Sequence, residues 1–466
     1  MHYDPHRPEH CALRQILVHN LSKTRAELAE EDVYLPRFVW RELQAIVDCG
    51  VVDKGFVRVV CGSCKHERIV GFSCKGRAVC SSCVGRKMNE LSLHLFDHVV
   101  PDVPLRQFVL TLPVPLRILV ARDKRLLSAV RTVFLRAVKG FICKKARIAY
   151  PSKVFLPAGF CVVQRFGSAL QLAPHFHAVL FDGAYRKDDA GSLHFVAAPA
   201  LTPQDRLTLV TRIASRVERL LERRGLGEPS DDAPTQLELL AMKVPASAPV
   251  QEAASNASSV RGFNLHAATR ISANDDSGRL RLFRYVLRPA IAKDRLRYDG
   301  GGVTFQMKRV FSDGTSVFHF TPQSFIRRIA MLIPAPRQHE ITYTGLLAAN
   351  AKHRRDIVRV PTHRRVSRVD GSAPAGSTSR ASTTHHEEAP RAPSATMPWA
   401  ELLKRTFAFD VLHCERCGGR AKVVAAIIER TVIDQILTHL RTRPANSNAA
   451  PRAPPINPPR QATLPL

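Results

Sequence analysis

Two close cysteine pairs, Cys61-x2-Cys64 and, fifteen residues later, Cys80-x2-Cys83, have the spacing of a four-thiolate zinc ribbon. In such a unit each of two tight turns offers a pair of sulfurs to one tetrahedral ion. Cys74 and His66 lie between the pairs and are alternative ligands. A structural ion contributing about 10 kcal/mol or more would make so small a unit fold only with its metal. Lys65, Arg68, Lys75, Arg77, Arg86 and Lys87 would give it a positive surface. A second pair, Cys414-x-x-Cys417 beside His413, is half a site. Either His413, His439 or a distant group completes it, or the two thiols are free.

In Pro174-His175-Phe176-His177-Ala178-Val179-Leu180 the alternation of a strand sends both histidines to one face and Phe176 to the other. Two imidazoles about 7 Å apart at their backbones can converge on one ion, or can sit in a core. Further on, Leu280-Arg281-Leu282-Phe283-Arg284-Tyr285-Val286-Leu287-Arg288 runs up to Pro289, which ends a helix. Arg281 and Arg288 fall four before and three after Tyr285, so one helix face offers a phenol between two guanidiniums. Such cations favour phenolate and clamp phosphate. The alternative is a tyrosine packed at a core edge, in a chain that binds DNA through its zinc unit and cuts nothing.

The elements that must position these groups follow from periodicity. Leu13, Leu17 and Leu21, then Phe38, Leu43, Ile46 and Val47, predict helices over 12–60, broken at Pro36. Gln107–Leu112, Gly159–Phe166 and Gln171–Phe181 read as strands, the last two joined by a turn at Gly167-Ser168, with helices at 86–99, 126–141 and 207–224. The fold class is α+β with an antiparallel sheet. The expected organisation is a helical lead-in and zinc-binding domain over 1–104 and a main domain over 105–350 with a flexible insertion at 229–262. A disordered basic linker at 351–398, a small Cys-x-x-Cys element at 399–440 and a disordered Pro-rich tail at 441–466 complete it, with structure resuming after the insertion near Arg279.

Lys and Arg number 69 against 40 Asp and Glu, a formal charge of +29 that repels itself unless a polyanion neutralises it. DNA or RNA is the partner this charge favours. Without an apolar run of about 18 residues or a basic-then-apolar start, the chain reads as cytoplasmic, where eleven cysteines are metal ligands or packing before they are disulfides.

Taken in order, Gln164-Arg165-Phe166-Gly167-Ser168-Ala169-Leu170 leading to His175-Phe176-His177, then Arg284-Tyr285-x3-Pro289-x2-Ala292-x2-Arg295-Leu296, resemble a known family. They are similar to the rolling-circle insertion-sequence transposases of the IS91 type and their ISCR relatives, which are HUH endonucleases, named for two histidines flanking an apolar residue. Ser73-Cys74-Lys75-Gly76-Arg77 with Cys80 and Cys83 resembles that family's zinc-binding domain, Phe108–Pro113 its opening nuclease strand, and Cys414-x-x-Cys417-Gly418-Gly419 its C-terminal element. Some members carry two tyrosines four residues apart; here positions 281 and 289 are Arg and Pro, so the chain looks like the single-tyrosine branch.

The resemblance implies a HUH nuclease core in which Tyr285 attacks a DNA phosphate to form a 5′-phosphotyrosine, beside Mg2+ or Mn2+ on His175, His177 and a third ligand for which Gln164 is the candidate. Arg281 and Arg288 would stabilise phosphate charge, and Lys75, Arg77, Arg86, Lys87, Arg165, Arg284 and Arg295 would hold DNA. Zinc would be structural. The DNA would be single-stranded or hairpin element ends, at the nucleoid. No Gly-x4-Gly-Lys-Ser/Thr loop is present to bind a nucleotide, so unwinding falls to host replication or helicase factors.

Overall fold

A computed structural model describes residues 7–151, 154–226, 257–308, 310, 314–358 and 412–442. They form two compact units, Met1–Gly50 with Ser73–His413, and Val51–Phe72 with Cys414–Leu466. Helices α1 (Ala12–Glu30) and α2 (Arg37–Val47) meet expectation, with Pro36 at the N-cap of α2. The expected helical run to residue 60 is instead interrupted by strand β1 (Phe56–Cys61), which pairs with β2 (Glu67–Gly71). Phe56-Val57-Arg58-Val59-Val60 is β-branched and alternating, a pattern that favours a pleated strand over a helix. Helix α3 (Ser81–His94) continues into a wider turn, Leu95–Val99, and helix α4 (Val114–Arg122) follows the first strand of the main sheet.

The main sheet of the larger unit is built from β3 (Leu105–Thr111), β4 (Ala158–Phe166), β5 (Leu172–Phe181), β8 (Ala257–Val260), β9 (Phe263–His266) and β14 (Ile341–Gly345), in the order β14-β4-β5-β3-β9-β8, with β10 (Arg270–Ile271) against β3. Every pair is antiparallel. Strand β8 already begins at Ala257, before the expected Arg279. The short β8–β9 hairpin closes on Arg261-Gly262, both with positive φ (50° and 79°), a turn that two four-residue strands signal only faintly. Smaller antiparallel sheets comprise β6 (Gly183–Lys187) with β7 (Leu193–Ala197), and β11 (Leu296–Tyr298), β12 (Val303–Gln306) and β13 (Val317–Phe320).

Period-two alternation gives this sheet two apolar faces. On one, Phe108, Leu110, Phe176, Ala178 and Leu180 pack on α5 (Lys124–Ala149) and α6 (Pro203–Glu222) through Phe134, Val138, Leu209 and Ile213. On the other, Phe160, Val162, Val179 and Phe181 meet Leu282, Phe283 and Val286 of helix α7 (Asp276–Val286). Gly159 is required between the central strands, since a Cβ there would lie 2.4 Å from the Val179 carbonyl oxygen. A buried ion pair fastens the ends of β3 and β5: Arg106 grips Asp182 by two hydrogen bonds of 2.6 and 2.9 Å, and Arg270 adds a third of 2.6 Å.

In the smaller unit, β15 (Ala421–Ile427) pairs with β1 to make the order β15-β1-β2, and helix Arg430–Thr442 closes over Phe56 through Ile433 and Leu437. The expected linker at 351–398 falls largely, and the insertion up to residue 256 and the tail from 443 wholly, outside the described residues.

Candidate active site and cysteine clusters

Register puts the chemistry on one face. His175 pairs across to Thr111 on β3 and Gln164 on β4, and His177 to Val109 and Val162, so the histidines and Gln164 share the face on which the tyrosine helix lies. The two imidazoles lean together, with ring centroids 4.8 Å apart, and the Tyr285 ring stands edge-on to His177 at 5.7 Å. Tyr285 remains 39% exposed, which leaves its hydroxyl reachable by a large substrate.

The tyrosine helix is held at both ends. At its start, the Asp275 carboxylate accepts from the Gly278 N–H, and fully buried Arg279 donates to the carbonyls of Val100 and Pro101. At its end, the Gln164 amide nitrogen donates to the carbonyls of Tyr285 (3.2 Å) and Val286 (2.8 Å). Those carbonyls only accept, so the amide is oriented, and its oxygen Oε1 is left buried without a hydrogen-bond partner. The helix ends at Val286, short of Arg288, yet Arg288 folds back and lays its guanidinium 4.6 Å from the centre of the Tyr285 ring. Arg281, one turn earlier, is exposed.

Both imidazoles are kept neutral. Burial, with the charges of Arg288 and Arg117, pushes His175 down to about 4, its bond to a backbone carbonyl offsetting part of this. Burial first, then His175 and Arg288, holds His177 well below the ordinary histidine range. Neutral imidazole is the form that ligates a metal. His175 Nδ1 donates to the Ala173 carbonyl at 2.8 Å, which leaves Nε2 as the unprotonated ring nitrogen. His177 Nδ1 lies 2.8 Å from the Gln107 amide, and its Nε2 is buried without a partner. As oriented, the Gln107 amide nitrogen donates to Nδ1, so a metal at Nε2 requires the amide to turn over and its oxygen to accept from Nδ1–H. No Asp, Glu or Cys joins the two histidines in a three-ligand cluster among the described residues. The donor set is therefore two imidazoles and the orphaned Gln164 oxygen, which suits a divalent ion that completes its shell with water and substrate. Gln107 and Arg117 went unnoticed in the sequence, although Gln107, a polar residue on the strand face of Val109 and Thr111, was a signal.

Several expected DNA contacts are otherwise engaged. Arg165 is buried, donates to the carbonyls of Ala121 and Met331, and is pushed down to about 10 by burial, so it braces the fold and cannot reach a phosphate. Lys87 pairs with Glu340 at 2.8 Å, Arg77 donates to the Pro334 carbonyl, Arg86 to the Ser73 hydroxyl, and Arg295 to the Gln306 carbonyl. Lys75 is exposed and Arg284 half-buried. An open cleft lined by Arg122, Lys124, Arg125 and Arg337, with Asp123, offers a denser cationic surface. Of the chain's other tyrosines, Tyr298 donates to the Gly300 carbonyl, and half-buried Tyr343 lies under the Arg354 guanidinium.

The cysteines are grouped by the fold differently from their spacing. Cys80 and Cys83 gather with Cys74 and Cys49, their sulfurs 3.4 to 3.9 Å apart, whereas Cys61 and Cys64 gather with Cys414 and Cys417. The reason is the β1–β2 hairpin, which carries Cys61 and Cys64 into the smaller unit, while the turn after α2 brings Cys49 to the start of α3. His66, His413 and His439 belong to neither group. All eleven cysteines are free of disulfides.

Residues 159–355 match the family model "Putative transposase", and residues 20–112 match the transposase zinc-binding domain of IS91 elements. The chain belongs to the IS91-type transposases. Neither a curated protein nor a solved structure matches it. In this transposase the first match spans β4, β5 and the tyrosine helix, and the second contains six of the eight clustered cysteines. Zinc in the cysteine-rich region and DNA as the partner follow from the two families. No helix among the described residues is long and apolar enough to cross a membrane.

Proposed function

We propose that this transposase nicks and rejoins single-stranded or hairpin DNA at the ends of a rolling-circle element, with Tyr285 as the one nucleophile per chain and a HUH-type nuclease core around it. The observation that carries the reading is the packing of Tyr285 against His177 on a sheet face that also holds the unprotonated His175 Nε2 and two buried atoms without partners, His177 Nε2 and Gln164 Oε1. Mg2+ or Mn2+, when bound there, supplies charge that polarises a non-bridging phosphate oxygen.

The chain's own groups do the rest. The Tyr285 oxygen attacks phosphorus in line; a P–O bond forms to tyrosine as the bond to the 3′ oxygen breaks, and that oxygen departs as a hydroxyl after taking a proton. The 5′ end stays on the protein. Attack by a second 3′-hydroxyl reverses the step and joins strands, and no nucleotide is consumed because one ester replaces another. Arg288, stacked on the ring, and Arg281 on the same helix favour the charge that develops on phosphate. Arg284, Lys75 and the cleft of Arg122, Lys124, Arg125 and Arg337 would track the backbone, an interaction that weakens with salt. Duplex opening would be left to host helicases.

The test is a denaturation-resistant protein–DNA adduct, formed by full-length protein with Mn2+ and single strands carrying element ends. Wild type is expected to form it, and Tyr285→Phe to bind the same DNA and form none. Absence of an adduct with wild type despite nicking would point to hydrolysis by water. An adduct that survives Tyr285→Phe would move the nucleophile to another residue.

A further inference from the structure

The zinc-binding family match ends at residue 112, yet one of the two four-cysteine groups takes half its members from beyond residue 410. We infer that the chain holds a second zinc ion on Cys61, Cys64, Cys414 and Cys417, distinct from that of the Cys49, Cys74, Cys80, Cys83 group, and that it closes a folding module made from residues 51–72 and 412–442. The inference does not depend on the nuclease reading.

The geometry is that of a mononuclear tetrathiolate. Zinc–sulfur bonds of about 2.3 Å put tetrahedral sulfurs roughly 3.8 Å apart. Here the four sulfurs lie within 4.8 Å of one another, with Cys61 to Cys417 and Cys64 to Cys414 both at 3.6 Å. The close approaches run between the two Cys-x-x-Cys loops, so the loops interlock around one point instead of forming two separate pairs. Bonded sulfurs would be about 2.05 Å apart, which excludes disulfides, and a cluster of several irons would spread its ligands farther than this.

Each loop is shaped as a metal knuckle. The Gly419 N–H points at Cys417 Sγ from 3.4 Å. Lys65 and Gly418 adopt positive φ (57° and 73°) to turn the chain back after each pair. The Gly62 N–H donates to the Arg420 carbonyl, tying loop to loop. Binding releases the remaining thiol protons to solvent as four sulfur–metal bonds form, and soft thiolates select zinc over oxygen-seeking ions.

Among the described residues the module's apolar packing is small. Its one apolar cluster is Phe56, Ile433 and Leu437, edged by Val52, Ile69, Ile427 and Ile436, with Val59 and Ala421 also buried. A core of that size is too small to hold two segments separated by some 350 residues, and units of this size rely on metals or disulfides. The pair at 414 and 417, half a site in the linear sequence, is thus completed by the pair at 61 and 64.

Metal analysis of the purified full-length chain tests this. Two zinc ions per chain are expected from wild type, one from Cys414→Ser/Cys417→Ser, one from Cys61→Ser/Cys64→Ser, and still one from all four substitutions together. Cys49→Ser/Cys74→Ser should lose the other ion. One zinc in wild type, or two retained by the 414/417 variant, would overturn the inference, as would iron in place of the second zinc. Cadmium NMR on the exchanged wild-type protein requires no variant: two resonances, each in the all-sulfur range, are expected, and a single one or a mixed nitrogen or oxygen shift refutes the site.

Discussion

The tyrosine face of the larger unit and the cysteine module of the smaller one both gather residues from distant parts of the chain, but by opposite means. The histidines and Gln164 are placed by strand register on a sheet whose two faces are filled by Phe108, Phe176, Phe160 and Phe283, a core that exists whether or not an ion is bound. Cys61, Cys64, Cys414 and Cys417 meet beside a small apolar cluster around Phe56, Ile433 and Leu437. In the first region the fold would place a metal's ligands before any ion arrives; in the second, as inferred above, an ion would hold the fold together. The Cys49 group lies between these extremes, since its sulfurs are embedded with Leu43, Ile46 and Val79 in a large cluster.

The contrast can be broken in several ways. The largest effect is expected from a strong zinc chelator, which should remove about 10 kcal/mol or more from the small module. Hydrogen exchange should then show amide protection lost in β1, β2 and β15 and kept in β3, β4 and β5; protection retained in β1 and β15 would mean that packing alone suffices there. Next is Asp182→Ala, which strands buried Arg106 beside Arg270 without its carboxylate. A loss of about 3–5 kcal/mol is expected, read as a lowered denaturant midpoint for the sheet with zinc content unchanged.

Gln107→Leu should keep the fold and weaken binding of Mn2+ at the histidines by about 10–100-fold, because the partner that orients His177 is gone. Titration calorimetry would decide it, and an unchanged affinity would remove Gln107 from the site. The smallest effect is on pH. His175 and His177 are held below their unfolded value, so the unfolded chain binds protons that the native one refuses, and metal-free stability should fall as pH drops from 7 to 6. A midpoint that rises over that range would contradict neutral imidazoles.

Local signals were legible where the pattern is long. Helix α1, helix α5, strands β4 and β5 and the side-by-side histidines all follow from spacing, since period and side-chain direction are properties of the backbone. The short β8–β9 hairpin was missed because four-residue strands carry too few alternations to register. Arg165 was misread for a different reason: a cation in sequence looks the same whether it meets phosphate or two backbone carbonyls, and only burial tells them apart.

By itself, then, the sequence determined the partner class through its charge, the presence of thiolate metal sites, and the face shared by His175 and His177. Tertiary structure alone decided that Gln164 joins that face, which cysteines gather, that Arg288 folds over the Tyr285 ring from beyond the helix, and that Gln107 braces His177. The division has a physical cause. Charge and periodicity are carried by neighbours in the chain, whereas a coordination sphere or a stacked pair depends on distances between segments up to hundreds of residues apart, and those are set by packing.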